Sequence, residues 1–265
     1  MNNVLTDADR AFYAQEGYLI LRQILPTNLI TDLRRTAAKA REIARQLHGP
    51  KAQRLAVLED LSAPDLVPLQ NFADLPELNA AIHALLSPQH RISYPGGTSF
   101  LFEPAQNCWG MAWHRDWRDH MSEAKAGEVF GDRWEAMALD PKLFNQINCA
   151  LYEDSCTWFV PGSHRQLQDT PGQVRAAKAA DDATLANKQG ERSEEAHERF
   201  MNDYCAAMPG GQALTLQAGD LAIYRSIAWH TGSYLPYRKR ATLHCSAATP
   251  EYEAFWKNTQ AILAK

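Results

Sequence analysis

The sequence predicts a mainly β domain, a sandwich or barrel, resting on a helical N-terminal third and interrupted by helical insertions. Three observations predict it. After residue 90, short β-prone runs follow one another at irregular spacing, separated by turn residues, as in antiparallel sandwiches and barrels. Before residue 90, apolar residues recur at helical spacing. Two stretches, about 117–145 and 166–211, are too long for plain connections in a compact domain and read as lids or binding loops. The second is rich in Ala, Glu, Lys and Gln, so it is expected to be helical. The 265 residues are read as one domain, 1–265: helical support in 1–90, a β core in 91–250 and a C-terminal helix in 251–265.

The elements follow in order. Thr6-Asp7-Ala8-Asp9 carries a capping-box pattern, so a helix starts there, and Gly17 ends it. Tyr18–Leu25 is apolar and β-prone until Pro26 stops it. A second helix runs from about Asn28 to His48, with Leu29, Leu33, Ala37, Ala40, Ala44 and Leu47 forming one buried stripe. Pro64–Pro88 reads as loop plus a short helix. The β runs are Thr98–Glu103, Met111–His114, Gln146–Tyr152, Thr157–Val160, Ala213–Gln217, Leu221–Tyr224 and Arg240–Ala247.

Composition narrows the function classes. Lys and Arg total 27 against 31 Asp and Glu, a net charge of −4 that lacks the basic stripe of a general nucleic-acid binder. The five cysteines, Cys108, Cys149, Cys156, Cys205 and Cys245, are odd in number and include no Cys-x-x-Cys pair. That argues against a disulfide scaffold and a zinc knuckle, and for a reducing compartment such as the cytoplasm. The N-terminus does not read as a signal peptide, and no run of 18 apolar residues suggests a membrane span.

The chemistry-bearing residues begin with His114 and Asp116 in Trp113-His114-Arg115-Asp116. Two residues apart on extended chain, both side chains leave the same face and can grip one metal ion. The best third ligand is His230, in Ala228-Trp229-His230-Thr231-Gly232, expected at the end of the next-to-last β region. Two His and a carboxylate make the facial triad of non-haem iron oxygenases, with positions left open. Ten residues past His230 stands Arg240, at the head of a strictly alternating strand. Arg240, Thr242, His244 and Ser246 share one face; Ala241, Leu243, Cys245 and Ala247 share the other. An interior polar face needs a polar partner, and an Arg fork matches a carboxylate. The competing reading is a surface Arg, since Arg238 and Lys239 precede it. Gln146 and Asn148 alternate likewise, either as contacts to a bound dicarboxylate or as satisfied core amides.

These residues resemble the phytanoyl-CoA dioxygenase family. The resemblance lies in Phe12–Ile20, in Trp113–Asp116, in Cys156–His164 ending Pro-Gly-Ser-His, in Ala218–Asp220 with Trp229–Ser233, and in Arg240-Ala241. It implies a double-stranded β-helix (jelly-roll) core with flanking helices. It implies Fe(II) on His114, Asp116 and His230, 2-oxoglutarate with its far carboxylate on Arg240, and O2 as co-reactant. Gln146, Asn148 and Thr242 complete the expected cosubstrate contacts. The expected substrate is a small molecule, with succinate and CO2 formed from 2-oxoglutarate; the alternative is a jelly-roll binding protein without catalysis or with another metal. The chain departs from the family at Asp154-Ser155, where Asn-Gly is common, and at Tyr237 after Pro236. An intact Asp116 speaks against the halide-binding variant of the site. His164 is read as part of a turn. Trp117 and His120 are candidate substrate contacts. Arg115, Arg118 and Arg225 are expected to set positive charge around the mouth, favouring an acidic substrate.

Overall fold

The computed structural model describes residues 5–56, 61–186 and 191–264; positions 187–190 of the expected second insertion and Lys265 of the expected C-terminal helix lie outside the described residues. Thr6 caps α1 (Asp7–Glu16) reciprocally: its hydroxyl accepts from the Asp9 amide, and the Asp9 carboxylate accepts from the Thr6 amide at 2.8 Å. Gly17 closes the helix in the left-handed region, φ +80°, its amide donating to Tyr13. A Cβ there would collide with Nδ1 of His164. The buried His164 ring donates from Nε2 to the Ala14 carbonyl at 3.1 Å. The Pro-Gly-Ser-His turn thus plugs the end of the first helix. Gly17→Ala is expected to destabilise by about 2–4 kcal/mol, from left-handed strain and a forced ring displacement together. Urea unfolding checks this; a change under about 0.5 kcal/mol, typical of an indifferent surface site, contradicts it.

β1 (Tyr18–Leu21) is shorter than the expected Tyr18–Leu25, because Gln23 turns the chain at φ 50° and donates its amide to the Asp220 carboxylate at 2.8 Å. In α2 (Thr27–His48), Leu29, Leu33, Ala37, Ala40 and Ala44 are buried, while Leu47 is 57% exposed, so the stripe ends a turn early. The stretch expected as loop plus a short helix is two helices, α3 (Ala63–Ala73) and α4 (Pro76–Leu85). Each has Pro in its first two positions, where the fixed φ favours helix and the missing N–H is no loss. Pro that reads as turn punctuation here starts helices.

The remaining strands are β2 (Arg54–Leu55), β3 (Arg91–Ile92), β4 (Ser99–Phe102), β5 (Trp109–Gly110), β6 (Asn145–Ala150), β7 (Thr157–Phe159), β8 (Gln212–Ala213), β9 (Leu221–Arg225), β10 (His230–Tyr234), β11 (Ala241–Cys245) and β12 (Ala247–Ala248). A larger antiparallel sheet runs β1-β9-β6-β11-β4-β2, a smaller one β5-β10-β7-β8, and β12 pairs with β3. Together they form the jelly-roll core expected. The run at Met111–His114 is not a strand: β5 ends just before it, and the run itself is tied by the Met111 amide, which donates to Gly232 O at 3.2 Å, and by a single bridge between His114 and His230. His230 begins its strand instead of ending one.

One face of the larger sheet packs on the N-terminal helices. Ile147, Cys149, Ile223, Leu243 and Cys245 meet Leu33, Leu69, Phe72 and Leu78, all nearly fully buried. Each such side chain contributes roughly 1.5–3 kcal/mol. Residues of the other face meet the smaller sheet, where Ala150, Ala222 and Tyr224 pack with Phe159. The alternation read in β11 is therefore real: Ala241, Leu243 and Cys245 enter the core. The first insertion holds α5 (Glu123–Phe130) and α6 (Trp134–Leu139); the second holds α7 (Pro171–Ala177), α8 (Asp182–Leu185) and α9 (Glu194–Ala206). α10 (Pro250–Leu263), capped by Thr249, follows the last strand. Among the described residues no helix is long and apolar enough to cross a membrane.

Candidate functional site

His114 and His230 sit directly opposite each other and exchange both backbone hydrogen bonds, at 3.1 and 3.0 Å. Opposed residues of an antiparallel pair project to one face, so the two imidazoles converge, with ring centroids 4.3 Å apart. Asp116 is brought in by its amide, which donates to the Ser226 carbonyl at 2.9 Å in the connection between β9 and β10. One ligand atom from each of the three lies within 4.8 Å of the others. Asp116 Oδ1 is 3.6 Å from His114 Nε2 and 3.9 Å from His230 Nε2.

Both rings are oriented the same way. His114 Nδ1–H donates to Ala112 O and His230 Nδ1–H to Ala228 O, each at 2.9 Å. That leaves both Nε2 lone pairs facing the centre, as a metal requires. Burial and the neighbouring His230 ring push the His114 pKa down to about 4. Burial alone would raise the Asp116 carboxyl; the His120 hydrogen bond and the imidazoles outweigh it and hold it at about 2. Near neutral pH the group is therefore a carboxylate beside a neutral His114. Gln146 Nε2 donates to Asp116 Oδ2, and its carbonyl accepts from the Tyr224 hydroxyl at 2.9 Å, which fixes the second carboxylate oxygen.

Arg240 is 3% exposed. Its Nε donates to Asp154 Oδ2 at 2.9 Å, its guanidinium lies 4.3 Å over the Tyr234 ring, and its buried Nη1 has no hydrogen-bond partner among the described residues. Burial would raise the Asp154 carboxyl, but Arg240 beside it holds it below the usual range. A cavity of about 280 Å³ joins His114, Asp116, His230, Asn148, Tyr234 and Arg240. A second, of about 510 Å³, lies on the other side of Asp116 and His120, walled by Trp117, Phe144, Tyr252 and Trp256.

Several expected contacts are corrected. Thr242 is fully buried and lines neither cavity; its hydroxyl donates to Asp154 at 2.5 Å, because Asp154 covers that part of the polar face. Asn148 lines the smaller cavity, but its amide donates to Thr157 and its carbonyl accepts from His244, at 2.9 and 2.8 Å. Gln146 lines both cavities and is committed to Asp116. Arg118 and Arg225 line neither. Arg118 pairs with Asp169 at 2.5 Å, and buried Arg225 donates to the Ala138 carbonyl at the end of α6 at 2.6 Å. Arg115 is buried on the same Asp169. The mouth therefore lacks the three arginines expected there. His120, half exposed, is 3.3 Å from Asp116 Oδ1, and Trp117 packs in an aromatic cluster with Phe144 and Trp256. His164 stands apart from the triad.

Asp154 and His244 were noted in the sequence but given no part in the site, and Asp169 and Arg54 were not singled out. Asp169 is the least expected. Besides Arg115 and Arg118 it accepts from Trp229 Nε1 at 3.1 Å. One carboxylate of the second insertion thus holds the segment carrying His114 and Asp116 and the residue before His230.

No protein-family model matches the sequence, and no curated protein matches it. Solved structures resemble the fold. AviO1 from Streptomyces viridochromogenes Tue57 is 16% identical with a TM-score of 0.58, over 93% of this chain and 97% of that one. HygX from Streptomyces hygroscopicus, with nickel and 2-oxoglutarate bound, is 13% identical at 0.58, over 93% and 88%. EctD from S. alaskensis, with 2-oxoglutarate and 5-hydroxyectoine, is 15% identical at 0.57, over 95% and 79%.

Proposed function

We propose that this protein is an iron(II)- and 2-oxoglutarate-dependent oxygenase of a small molecule, of the kind the phytanoyl-CoA dioxygenase resemblance implies. One observation carries it: a metal-ready His-Asp-His group and a buried arginine with an orphaned Nη1 line the same cavity. In a simple metal-binding jelly roll Arg240 would serve Asp154 alone, and its orphaned Nη1 beside the cavity would have no purpose. The donor set fits the metal: two nitrogens freed by their carbonyl partners and one carboxylate leave coordination positions for a chelating cosubstrate and oxygen. His114, Asp116 and His230 would hold iron, and Arg240 would take the far carboxylate of 2-oxoglutarate. Bound there, the pair would supply oxidation of a substrate by O2, with 2-oxoglutarate going to succinate and CO2. That the HygX and EctD structures hold 2-oxoglutarate supports the reading.

The protein's own residues orient and shield. Tyr224 and Gln146 hold one oxygen of Asp116 while the other faces the imidazoles. An intact Asp116 favours hydroxylation or desaturation over halogenation. The five cysteines are all unpaired, which suits a reducing compartment such as the cytoplasm.

Anaerobic addition of Fe(II) and then 2-oxoglutarate tests the reading. A weak visible charge-transfer band is expected, followed by succinate on admitting oxygen with substrate. Metal binding with no band leaves only a metal-binding jelly roll. Asp169→Asn is expected to weaken Fe(II) or Co(II) affinity about 10–100-fold, the usual cost of losing a group that orients metal ligands. Metal titration checks this, and unchanged affinity would remove Asp169 from the site's support.

A further inference from the structure

Resting on that reading, we infer that the larger cavity binds an organic acid with a flat apolar body, its anionic group on Arg54 and its ring system on Trp117, Tyr252 and Trp256. The two cavities meet at Asp116, His120, Gln146, His244 and Arg54, so the larger one opens onto the metal carboxylate. Its volume of about 510 Å³ falls within the ~300–1,000 Å³ range of small-molecule sites.

The wall built from the first insertion and α10 is aromatic. Trp117 is held at a left-handed φ of 69°, clasped by Phe144, Phe255 and Trp256. Trp256 remains 42% exposed, an apolar face with room for a ligand. A planar ring system gains from both burial and offset stacking there.

Arginines 54 and 240 are the cations lining the two cavities. Arg240 faces the smaller one and is tied to Asp154. Arg54 is exposed on β2, has no ion pair among the described residues and lines both cavities. Its charge reaches the floor of the site: after burial, Arg54 is the largest cause holding the His244 pKa at about 3. With a metal bound, Asp116 would be committed to it and would not neutralise Arg54. The other carboxylate of the larger cavity is Glu253 on α10. It repels an anion placed at its own position, so the acid enters with its charge toward Arg54 and its ring toward α10. The arginines expected at the mouth do not supply this charge; Arg54 does.

The test uses the full chain, loaded anaerobically with Fe(II) and 2-oxoglutarate, and titrates 2-naphthoate and its neutral counterpart 2-naphthamide, followed by tryptophan quenching and calorimetry. Naphthoate is expected to bind about 3–5-fold tighter, the upper range of a solvent-screened ion pair, because Arg54 is exposed. Arg54→Ala should abolish that preference, and Arg54→Lys should restore part of it. Trp256→Ala should weaken both probes while the preference survives. Equal binding of the two probes, or naphthoate binding unchanged in Arg54→Ala, overturns the inference. So does a raised 2-oxoglutarate requirement in Arg54→Ala with naphthoate unaffected, which would give Arg54 to the cosubstrate. The 2-oxoglutarate band is read before any probe is added, so failure of the oxygenase reading is seen separately from failure here.

Discussion

Asp116→Ala is expected to lose 2-oxoglutarate turnover and measurable Fe(II) retention while keeping its fold. The carboxylate is the anionic member of the triad, and its Oδ1 faces both imidazoles. Without it, two imidazole nitrogens remain to hold a dication, so the loss should exceed the ~10–100-fold typical of an orienting residue. The structural cost is small. Asp116 borders both cavities, so water can take the hydrogen bond that Gln146 gives it, at a cost of about 1 kcal/mol. His114→Ala should behave alike. Iron content after dialysis, succinate formation and a melting curve check all three parts. Wild-type succinate formation by either variant would remove the triad from the chemistry.

Arg240 needs two variants, because the structure couples it to Asp154. Arg240→Ala leaves the Asp154 carboxylate buried without its cation, and breaking a buried pair from one side costs about 3–5 kcal/mol. Its effect on 2-oxoglutarate is then confounded with unfolding. Arg240→Lys keeps a cation beside Asp154 but removes the fork. It should fold, and it should raise the 2-oxoglutarate concentration required by roughly 10–100-fold, as loss of a two-point carboxylate contact does, with kcat changed less. The pair also predicts acid sensitivity. The Asp154 carboxyl is held low in the folded state, so the stability it contributes is complete above its unfolded pKa near 3.8 and is lost as pH falls below that. An Arg240→Lys enzyme with a wild-type 2-oxoglutarate KM would move the cosubstrate assignment elsewhere.

What could be read from sequence was what repeats or sits close along the chain. The Thr6–Asp9 cap, the α2 stripe and the β11 alternation are local patterns: the cap predicted where α1 starts, and the other two predicted their elements and, Leu47 apart, their buried faces. That His114 and His230 share one site was inferred from residue type, from the order of the β regions and from the family resemblance, and the strand carrying His230 was misplaced, since Gly232 and Ser233 hide its β character. The support of the site was invisible for a different reason. Asp154 meets Arg240 across 86 residues and Asp169 meets Arg115 across 54, from loops with no periodicity to mark them. Thr242 shows the limit of a facial argument: it shares a face with Arg240, but a loop carboxylate occupies the space above it.

The sheet order has a consequence for how the chain folds. β1 lies at an edge of the larger sheet and pairs with β9, Tyr18 opposite Tyr224, about 200 residues apart. The α2 stripe likewise waits for Ile147, Ile223 and Leu243. At ~5–20 residues per second of synthesis, the N-terminal helices spend roughly 10–40 s with that stripe uncovered before β9 emerges. Such non-local closure is slow and leaves apolar surface open to aggregation. Folding in the cell should therefore depend on chaperones that shield nascent chains, and recovery of native protein should improve when translation is slowed or the temperature lowered.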